Sequence, residues 1–258
     1  MATLKKCKKL TVLIAAILLV AFHAMAQSPE QMAASAAKLY NTKQYKESIS
    51  LYEKIITSGY ESYGLYYNLG NAYFRNNEIP QAVLYYEKAL KIEPNNEDVK
   101  HNIEVINSRL TDKVEQVPEL FYKNWWKQLV NLMDINTLAV VNILLLTGAL
   151  LLIALYIAVS SLLVRKVSFW TGTFLLFLFC VGVLAASQRN HYQTDQHEAI
   201  IFTPTVNIKS SPDENSKDIF VLHEGTKVKL LDVVAEWQEI RISNGSVGWI
   251  KSLDFRKI

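Results

Sequence analysis

Residues 63–96 read YGLYYNLGNAYFRNNEIPQAVLYYEKALKIEPNN, and this stretch decides the fold of the N-terminal half. The string Tyr-Glu-Lys at 86–88 also occurs at 52–54, an offset of 34 residues. Repetition at a fixed period of this length is typical of stacked helical pairs. Gly70 and Ala82 are small where two helices of a pair would cross closely, and Pro94 would end the second helix. The stretch therefore predicts one helix–turn–helix unit of an array.

The same stretch resembles a tetratricopeptide repeat. The positions that match the family pattern are Tyr66, Leu69, Gly70, Tyr73, Ala82, Tyr86, Ala89 and Pro94. A looser unit covers about residues 29–62, and residues 97–112 resemble a third first-helix that serves as a cap, so we expect the repeat domain over 27–118. Two and a half units fall below the three usually needed for a stable stack. We therefore expect support from the membrane-proximal segment, the cap or an oligomer.

In tetratricopeptide proteins the first helices of the units line a concave groove that binds a partner segment, and the resemblance extends this expectation to the matching positions. Asparagine amides on one helical face can hydrogen-bond an extended backbone, and arginines can bind a carboxylate. The alternative is that these are ordinary solvated polar residues. The candidate groove residues are Tyr40, Asn41, Tyr67, Asn68, Asn71, Arg75, His101, Asn102 and Arg109.

From residue 199 onward the pattern changes to short strands separated by turns. Residues 228–234 and 237–242 are rich in β-branched side chains, and Asn244-Gly245 predicts a hairpin turn because this pair readily adopts positive φ. Residues 199–258 resemble a bacterial Src-homology-3-like barrel, a domain that commonly binds cell-wall peptides or proteins. Lys209 and Ser211 replace the arginine and glycine usual near the first strand, so wall binding does not follow directly from the resemblance.

Three apolar stretches predict targeting and membrane segments. Residues 1–26 combine a basic start, an apolar run and the small-x-small site Ala24-Met25-Ala26, which predicts a signal peptide; the alternative is an uncleaved anchor. Residues 138–164 and 167–187 are long enough to span a bilayer. We expect a cytoplasmic turn at 165–166 and a polar linker at 188–198. The aromatic segment 119–137 either lies at the headgroup level or packs against the repeat domain.

The signal sequence and the Arg165-Lys166 pair predict the orientation of this two-helix hairpin. Exported residues after 26 and a basic cytoplasmic turn place both soluble regions outside the cytoplasm. In a double-membraned bacterium that location is the periplasm, with the chain held in the inner membrane.

Composition argues against several classes of function. The formal charge is +3, but four lysines without an acid lie in residues 1–26, and the remainder has 23 basic and 24 acidic residues. We therefore expect no nucleic-acid partner. The sequence lacks a phosphate loop, an HExxH motif and a nucleophile elbow, so we expect no enzyme activity, cofactor or small-molecule substrate. The one candidate metal cluster, His191, Asp195 and His197, is better interpreted as a polar linker.

The order of the segments predicts a multi-domain chain: an all-α tetratricopeptide array, a two-helix transmembrane hairpin and a small all-β Src-homology-3-like barrel. This order, with the strings at 211–215 and 221–226, resembles the BatE proteins of the Bacteroides aerotolerance operon. The resemblance implies a stress-related membrane assembly with von Willebrand-factor-type Bat proteins and a MoxR-type ATPase. We expect an adaptor that binds proteins and lies in a lipid bilayer. The alternatives are a peptidoglycan-binding wall sensor and, less favoured, a metal-dependent enzyme.

Overall fold

The computed structural model describes residues 28–113 and 120–258 of the chain. The predicted signal peptide lies outside the described residues. The chain divides between Asn77 and Glu78 into two compact units, each described by itself below.

The described part of the first unit, residues 28–77, contains three helices, α1 (Pro29–Asn41), α2 (Tyr45–Thr57) and α3 (Tyr63–Arg75). Helix α1 begins with a capping box between Ser28 and Gln31 and has proline in its first turn, which suits the unpaired N–H groups there. Ser62 caps α3 by accepting a hydrogen bond from the Leu65 N–H at 3.2 Å. The side chains that form the core of this unit include Ala36, Ile49, Tyr52, Ile55, Leu65, Leu69 and Ala72.

The second unit begins with two helices that complete the repeat region, α4 (Ile79–Ile92) and α5 (Glu97–Asn107). Pro80 lies in the first turn of α4. The Asn96 side chain caps α5 by accepting a hydrogen bond from the Val99 N–H at 3.3 Å. Ala82, Tyr86 and Ala89 on α4 are fully buried. They follow one another at four and three positions, so they lie on the same face of the helix.

Three further helices follow in this unit: α6 (Phe121–Val130), α7 (Ile135–Ala158) and α8 (Leu162–Thr194). Helices α7 and α8 are both long and apolar enough to cross a bilayer, and only 11% of the most apolar window of each is buried. They pack through small residues: a Cβ at Gly172 would lie 3.3 Å from the Leu152 Cβ. Close backbone approach at small residues is typical of paired membrane helices.

The turn between α7 and α8 lies earlier than the sequence predicted. Residues 159–161 separate the two helices, with Val159 extended (φ −98°, ψ 138°) and Ser161 at the N-cap position. Arg165 and Lys166, the predicted turn, lie inside α8. Arginine and lysine are good helix formers, which agrees with their position inside α8. Helix α8 also continues to Thr194, into the segment predicted as linker.

The C-terminal domain is a seven-stranded antiparallel sheet with the order β3-β2-β6-β5-β4-β1-β7. The strands are β1 (Glu198–Ile201), β2 (Thr205–Lys209), β3 (Asp218–His223), β4 (Lys227–Val234), β5 (Trp237–Arg241), β6 (Val247–Lys251) and β7 (Phe255–Lys257). Gly245 adopts φ +91° in the predicted hairpin turn.

One buried cluster forms the core of this barrel-like domain, with Ile201, Ile208, Leu230, Ile240 and Ile250 among its members. Gly248 allows β6 to approach β2 closely, since a Cβ there would lie 2.4 Å from the Ile208 Cγ2. The predicted fold class is confirmed: a helical repeat region, two apolar helices long enough to span a membrane, and an antiparallel all-β domain.

Candidate functional site

An aromatic and cationic cluster occupies the first unit where α1, α2 and α3 meet. The Tyr40 and Tyr45 rings meet edge to face, with centroids 5.5 Å apart. Arg75 donates a hydrogen bond from Nε to the Tyr45 hydroxyl at 3.3 Å, and its guanidinium carbon lies 5.8 Å from the centroid of that ring. The arrangement holds an exposed guanidinium over an aromatic face, which favours binding of a carboxylate or a backbone carbonyl.

The structure also gives the surroundings of the remaining predicted groove residues, four of which lie in the first unit and three in the second. Tyr67 stacks on Tyr63 with ring centroids 5.8 Å apart. Asn41 and Asn68 are exposed, and Asn71 is half-buried. In the second unit, the Asn102 amide donates a hydrogen bond to the Tyr86 hydroxyl at 3.4 Å. The two other predicted residues of the second unit, His101 and Arg109, are exposed.

Burial and charge shape the electrostatics around Tyr40. Partial burial raises the pKa of the Tyr40 hydroxyl above its ordinary value, while the positive charge of Arg75 acts in the opposite direction. Tyr40 and Arg75 both contact Tyr45 and therefore share one local environment. Tyr45, which the sequence did not single out, links them through its ring and hydroxyl.

In the second unit, the barrel is hydrogen-bonded to the segment that follows α5. The Asp112 carboxylate accepts hydrogen bonds from the His223 N–H at 2.7 Å and from the Thr226 hydroxyl at 2.8 Å. Its other oxygen lies 2.7 Å from the His223 ring Nδ1. Burial alone would raise the pKa of Asp112, but these hydrogen bonds hold it below its ordinary value. One carboxylate therefore satisfies three donor groups of the barrel.

A second polar contact joins the barrel to α4. The Lys227 ammonium on β4 lies 2.9 Å from a Glu87 oxygen on α4 and 2.9 Å from a Glu198 oxygen on β1. Partial burial alone would lower the pKa of Lys227, but the two carboxylates outweigh it and raise the pKa. The ammonium thus lies between two carboxylates and reduces their mutual repulsion.

Apolar and main-chain contacts complete this junction. Gly225 (φ +86°) lies against Leu110, and a Cβ at Gly225 would come within 2.7 Å of the Leu110 Cδ2. The Lys91 ammonium donates hydrogen bonds to the Asp195 and Ile258 carbonyls, the latter at 3.0 Å. The barrel therefore packs directly on α4 and on the segment that follows α5.

The end of α8 is also fixed to the repeat helices. Arg189 is fully buried, and its Nη2 donates a hydrogen bond to the Ile92 carbonyl of α4 at 2.7 Å. Its Nη1 donates to the Asn131 side-chain oxygen at 3.3 Å. A guanidinium at the C-terminus of a helix binds carbonyls that lack intrahelical partners. Within the second unit, the end of α8 is therefore joined to α4 and to Asn131 by direct hydrogen bonds.

The candidate metal cluster does not form a ligand set in the structure. The His197 ring contacts the Asp195 carboxylate. Within residues 28–113 and 120–258, no three His, Cys, Asp or Glu side chains are arranged to hold a metal ion. Asp195 is instead occupied by the ring and the N–H of His197.

Comparison with known families agrees with these two folded regions. Residues 64–96 match the tetratricopeptide repeat family, and residues 204–254 match the bacterial SH3 domain family. No curated protein sequence gives a significant match to the chain. Tetratricopeptide repeats mediate protein interaction and bacterial SH3 domains bind peptidoglycan, and both are typically non-catalytic. The two domain types support a role as an adaptor or scaffold.

Proposed function

We propose that this protein is a membrane-anchored adaptor whose tetratricopeptide surface captures a protein segment. The cluster of Tyr40, Tyr45 and Arg75 carries the proposal, because it presents an oriented guanidinium beside two rings on an exposed surface. The exposed amides of Asn41 and Asn68 on the same helices add groups that pair with an extended backbone. Such a surface suits an extended peptide that carries a carboxylate.

The anchor in this proposal is the α7–α8 hairpin, which places both soluble regions on the periplasmic side of the inner membrane. The exposed apolar surfaces of both helices and the basic residues Arg165 and Lys166 near the turn support it. The signal-like N-terminal sequence adds the direction of export.

Single cysteines test this topology in a background where Cys7 and Cys180 are replaced by serine. We expect a membrane-impermeant maleimide to label Lys54→Cys and Ser243→Cys in intact spheroplasts, because both sites are exposed on periplasmic parts. Ser160→Cys, in the exposed turn, should react only after lysis. Labelling of Ser160→Cys before lysis, with the other two protected, would contradict the proposed orientation.

The partners in this proposal are von Willebrand-factor-type Bat membrane proteins that work with a MoxR-type ATPase in a stress response. The resemblance in domain order supports this assignment. The contacts of the barrel with α4 and with the segment after α5 hold these parts of the second unit together.

The double variant Asn71→Ala, Arg75→Ala tests the capture surface, which is the proposed binding surface around Tyr40, Tyr45 and Arg75. We expect crosslinked partner recovery from native membranes to fall by roughly tenfold, because a charge-assisted and an amide hydrogen bond are lost together. Lys46→Ala with Lys54→Ala, two exposed lysines of α2, is the matched control and should leave recovery unchanged. Recovery equal to wild type at intact helicity would refute the assigned surface.

A wall sensor is the second candidate function, favoured by the match of residues 204–254 to a domain that binds peptidoglycan. The same preparation separates the two proposals. The adaptor should not sediment with purified sacculi, whereas the sensor should. Cosedimentation that persists in the Asn71→Ala, Arg75→Ala variant would assign binding to the barrel.

A further inference from the structure

A cavity of about 480 Å³ lies in the second unit, where α6, the end of α8 and the barrel meet. This volume falls in the range of sites for small ligands and headgroups. Trp126 forms part of its wall and is fixed by a hydrogen bond from its indole Nε1 to the Gln188 side-chain oxygen at 2.9 Å. The remaining wall includes Val130, Tyr192 and four lysines, so the cavity combines aromatic surface with positive charge.

The lysines of this cavity differ in what they bind. Lys91 is held by the Asp195 and Ile258 carbonyls. Lys123, Lys127 and Lys229 form no ion pair with any residue of the described ranges. The three ammonium groups come from two separate elements, since two lie on α6 and one on β4.

Among the described residues, two acids line the cavity, and both already have partners. A Glu198 oxygen lies 2.9 Å from the Lys227 ammonium, and the Asp195 carboxylate accepts the His197 N–H at 3.0 Å. The cavity therefore retains a surplus of positive charge, which favours an anionic ligand.

The position of the cavity along α8 corresponds to the depth of lipid headgroups. The apolar run of α8 ends at Ala186, and Gln188 and Tyr192 follow it by about 3 and 9 Å along the helix axis. The polar layer of a bilayer leaflet is roughly 5–8 Å thick. Phe121 and Trp125, 83% and 81% exposed on α6, add a face suited to the same interface.

We propose that this cavity binds the phosphate of an anionic phospholipid headgroup from the surrounding bilayer, with Lys123 and Lys127 on one side and Lys229 on the other. Ammonium groups bind phosphate as point charges, and the Trp126 ring covers the glycerol portion. The inference rests on the proposed membrane anchoring. It assigns the barrel a direct part in lipid recognition, because Lys229 belongs to β4.

Native mass spectrometry of the full chain tests the proposal after reconstitution into nanodiscs of mixed phosphatidylcholine and phosphatidylglycerol. We expect wild type to retain phosphatidylglycerol over phosphatidylcholine, and Lys229→Gln to reduce that retention by roughly fivefold. Lys217→Gln, an exposed lysine of the barrel that does not line the cavity, is the matched control and should behave as wild type.

Lys123→Gln with Lys127→Gln provides a second variant that leaves the barrel unchanged, and it should also lower retention. Equal retention in wild type and Lys229→Gln would overturn the proposal, since a general basic surface on α6 would then suffice. Lys229-dependent binding of inorganic phosphate in phosphatidylcholine nanodiscs, without lipid preference, would overturn the lipid assignment. A chain that does not enter nanodiscs would contradict the membrane anchoring itself, whereas entry without preference contradicts the headgroup site alone.

Discussion

Replacing Lys227 by methionine should lower the free energy of unfolding of the second unit by about 2–3 kcal/mol. The substitution removes the ammonium between Glu87 and Glu198 and leaves two carboxylates facing each other without a counter-charge. Loss of one partner from a fully buried ion pair costs more. The smaller value applies here because the side chains of Lys227 and Glu198 are 33% and 31% exposed.

The effect of Lys227 should depend on pH in a defined direction. Its pKa in the folded protein is raised above the ordinary value of 10.5. A group of this kind contributes stability that is complete below its unfolded pKa and is lost as pH rises through the folded pKa. We therefore expect wild type to lose this contribution only in strong alkali, and Lys227→Met to lack that alkaline step.

Hydrogen exchange of the full chain in detergent measures the change at the elements concerned. Protection should fall in α4 and β1, which carry the two acids. Lys217→Met, an exposed lysine of the barrel that contacts neither Glu87 nor Glu198, is the control and should preserve protection. The charge exchange Lys227→Glu with Glu87→Lys should recover part of the loss. Unchanged protection in Lys227→Met would show that this ion pair does not hold the barrel to the helix.

Local sequence patterns were sufficient to predict most of the elements. The 34-residue offset located the helices of the repeat because the period itself encodes stacked pairs. The Asn244-Gly245 pair located a turn, since positive φ is required there and Gly245 supplies it. Length and the lack of charge identified α7 and α8.

Contacts between distant segments could not be predicted in the same way. Asp112 and His223 are separated by 111 positions and Glu87 and Lys227 by 140, and no periodic pattern relates them. Charged residues on a helix or strand are ordinarily solvated, so nothing in the sequence distinguished these from their neighbours. Only the packing of the barrel on the repeat helices brings the charges together.

The candidate capture surface, formed by Tyr40, Tyr45 and Arg75, could be predicted from the sequence only in part. Tyr40 and Arg75 follow from their positions in the repeat, and they remain predicted partner-binding residues. Tyr45 is the first residue of α2, outside the helices expected to line a groove, and it orients both of them. The contact depends on the interhelical angle, a property that composition and spacing do not specify.

Replacing Asp112 by asparagine should separate the barrel from the capping helix more readily and destabilise the second unit by about 2–3 kcal/mol. The Asp112 side chain is 12% exposed and accepts from three donors of the barrel. Asparagine keeps the shape but loses the charge, and an NH2 group replaces one of the two acceptor oxygens. Its remaining oxygen can still accept from the His223 N–H and the buried Thr226 hydroxyl, but a neutral acceptor forms weaker hydrogen bonds than a carboxylate.

The pH dependence of Asp112 has the opposite sign to that of Lys227. Its folded pKa lies below the ordinary value of 3.8, so its contribution is present above that pH and is lost as pH falls through the folded pKa. Wild type should therefore show an acid step in protection of β3 and of the Gly225 turn below about pH 4, and Asp112→Asn should lack it. Asp232→Asn, an exposed carboxylate of β4, should retain the step.

Measuring partner capture by Asp112→Asn distinguishes a junction that only stabilises the protein from one that is also needed for partner binding. If the barrel only supports the short repeat array, the variant should lose stability yet recover the same partners at a temperature where it remains folded. If the barrel and the array act together in an adaptor, recovery should fall at that same temperature, because the variant weakens the contact of the barrel with the segment after α5. Equal protection of β3 in wild type and variant across the whole pH range would contradict the junction, since three hydrogen bonds to a largely buried carboxylate would then contribute nothing.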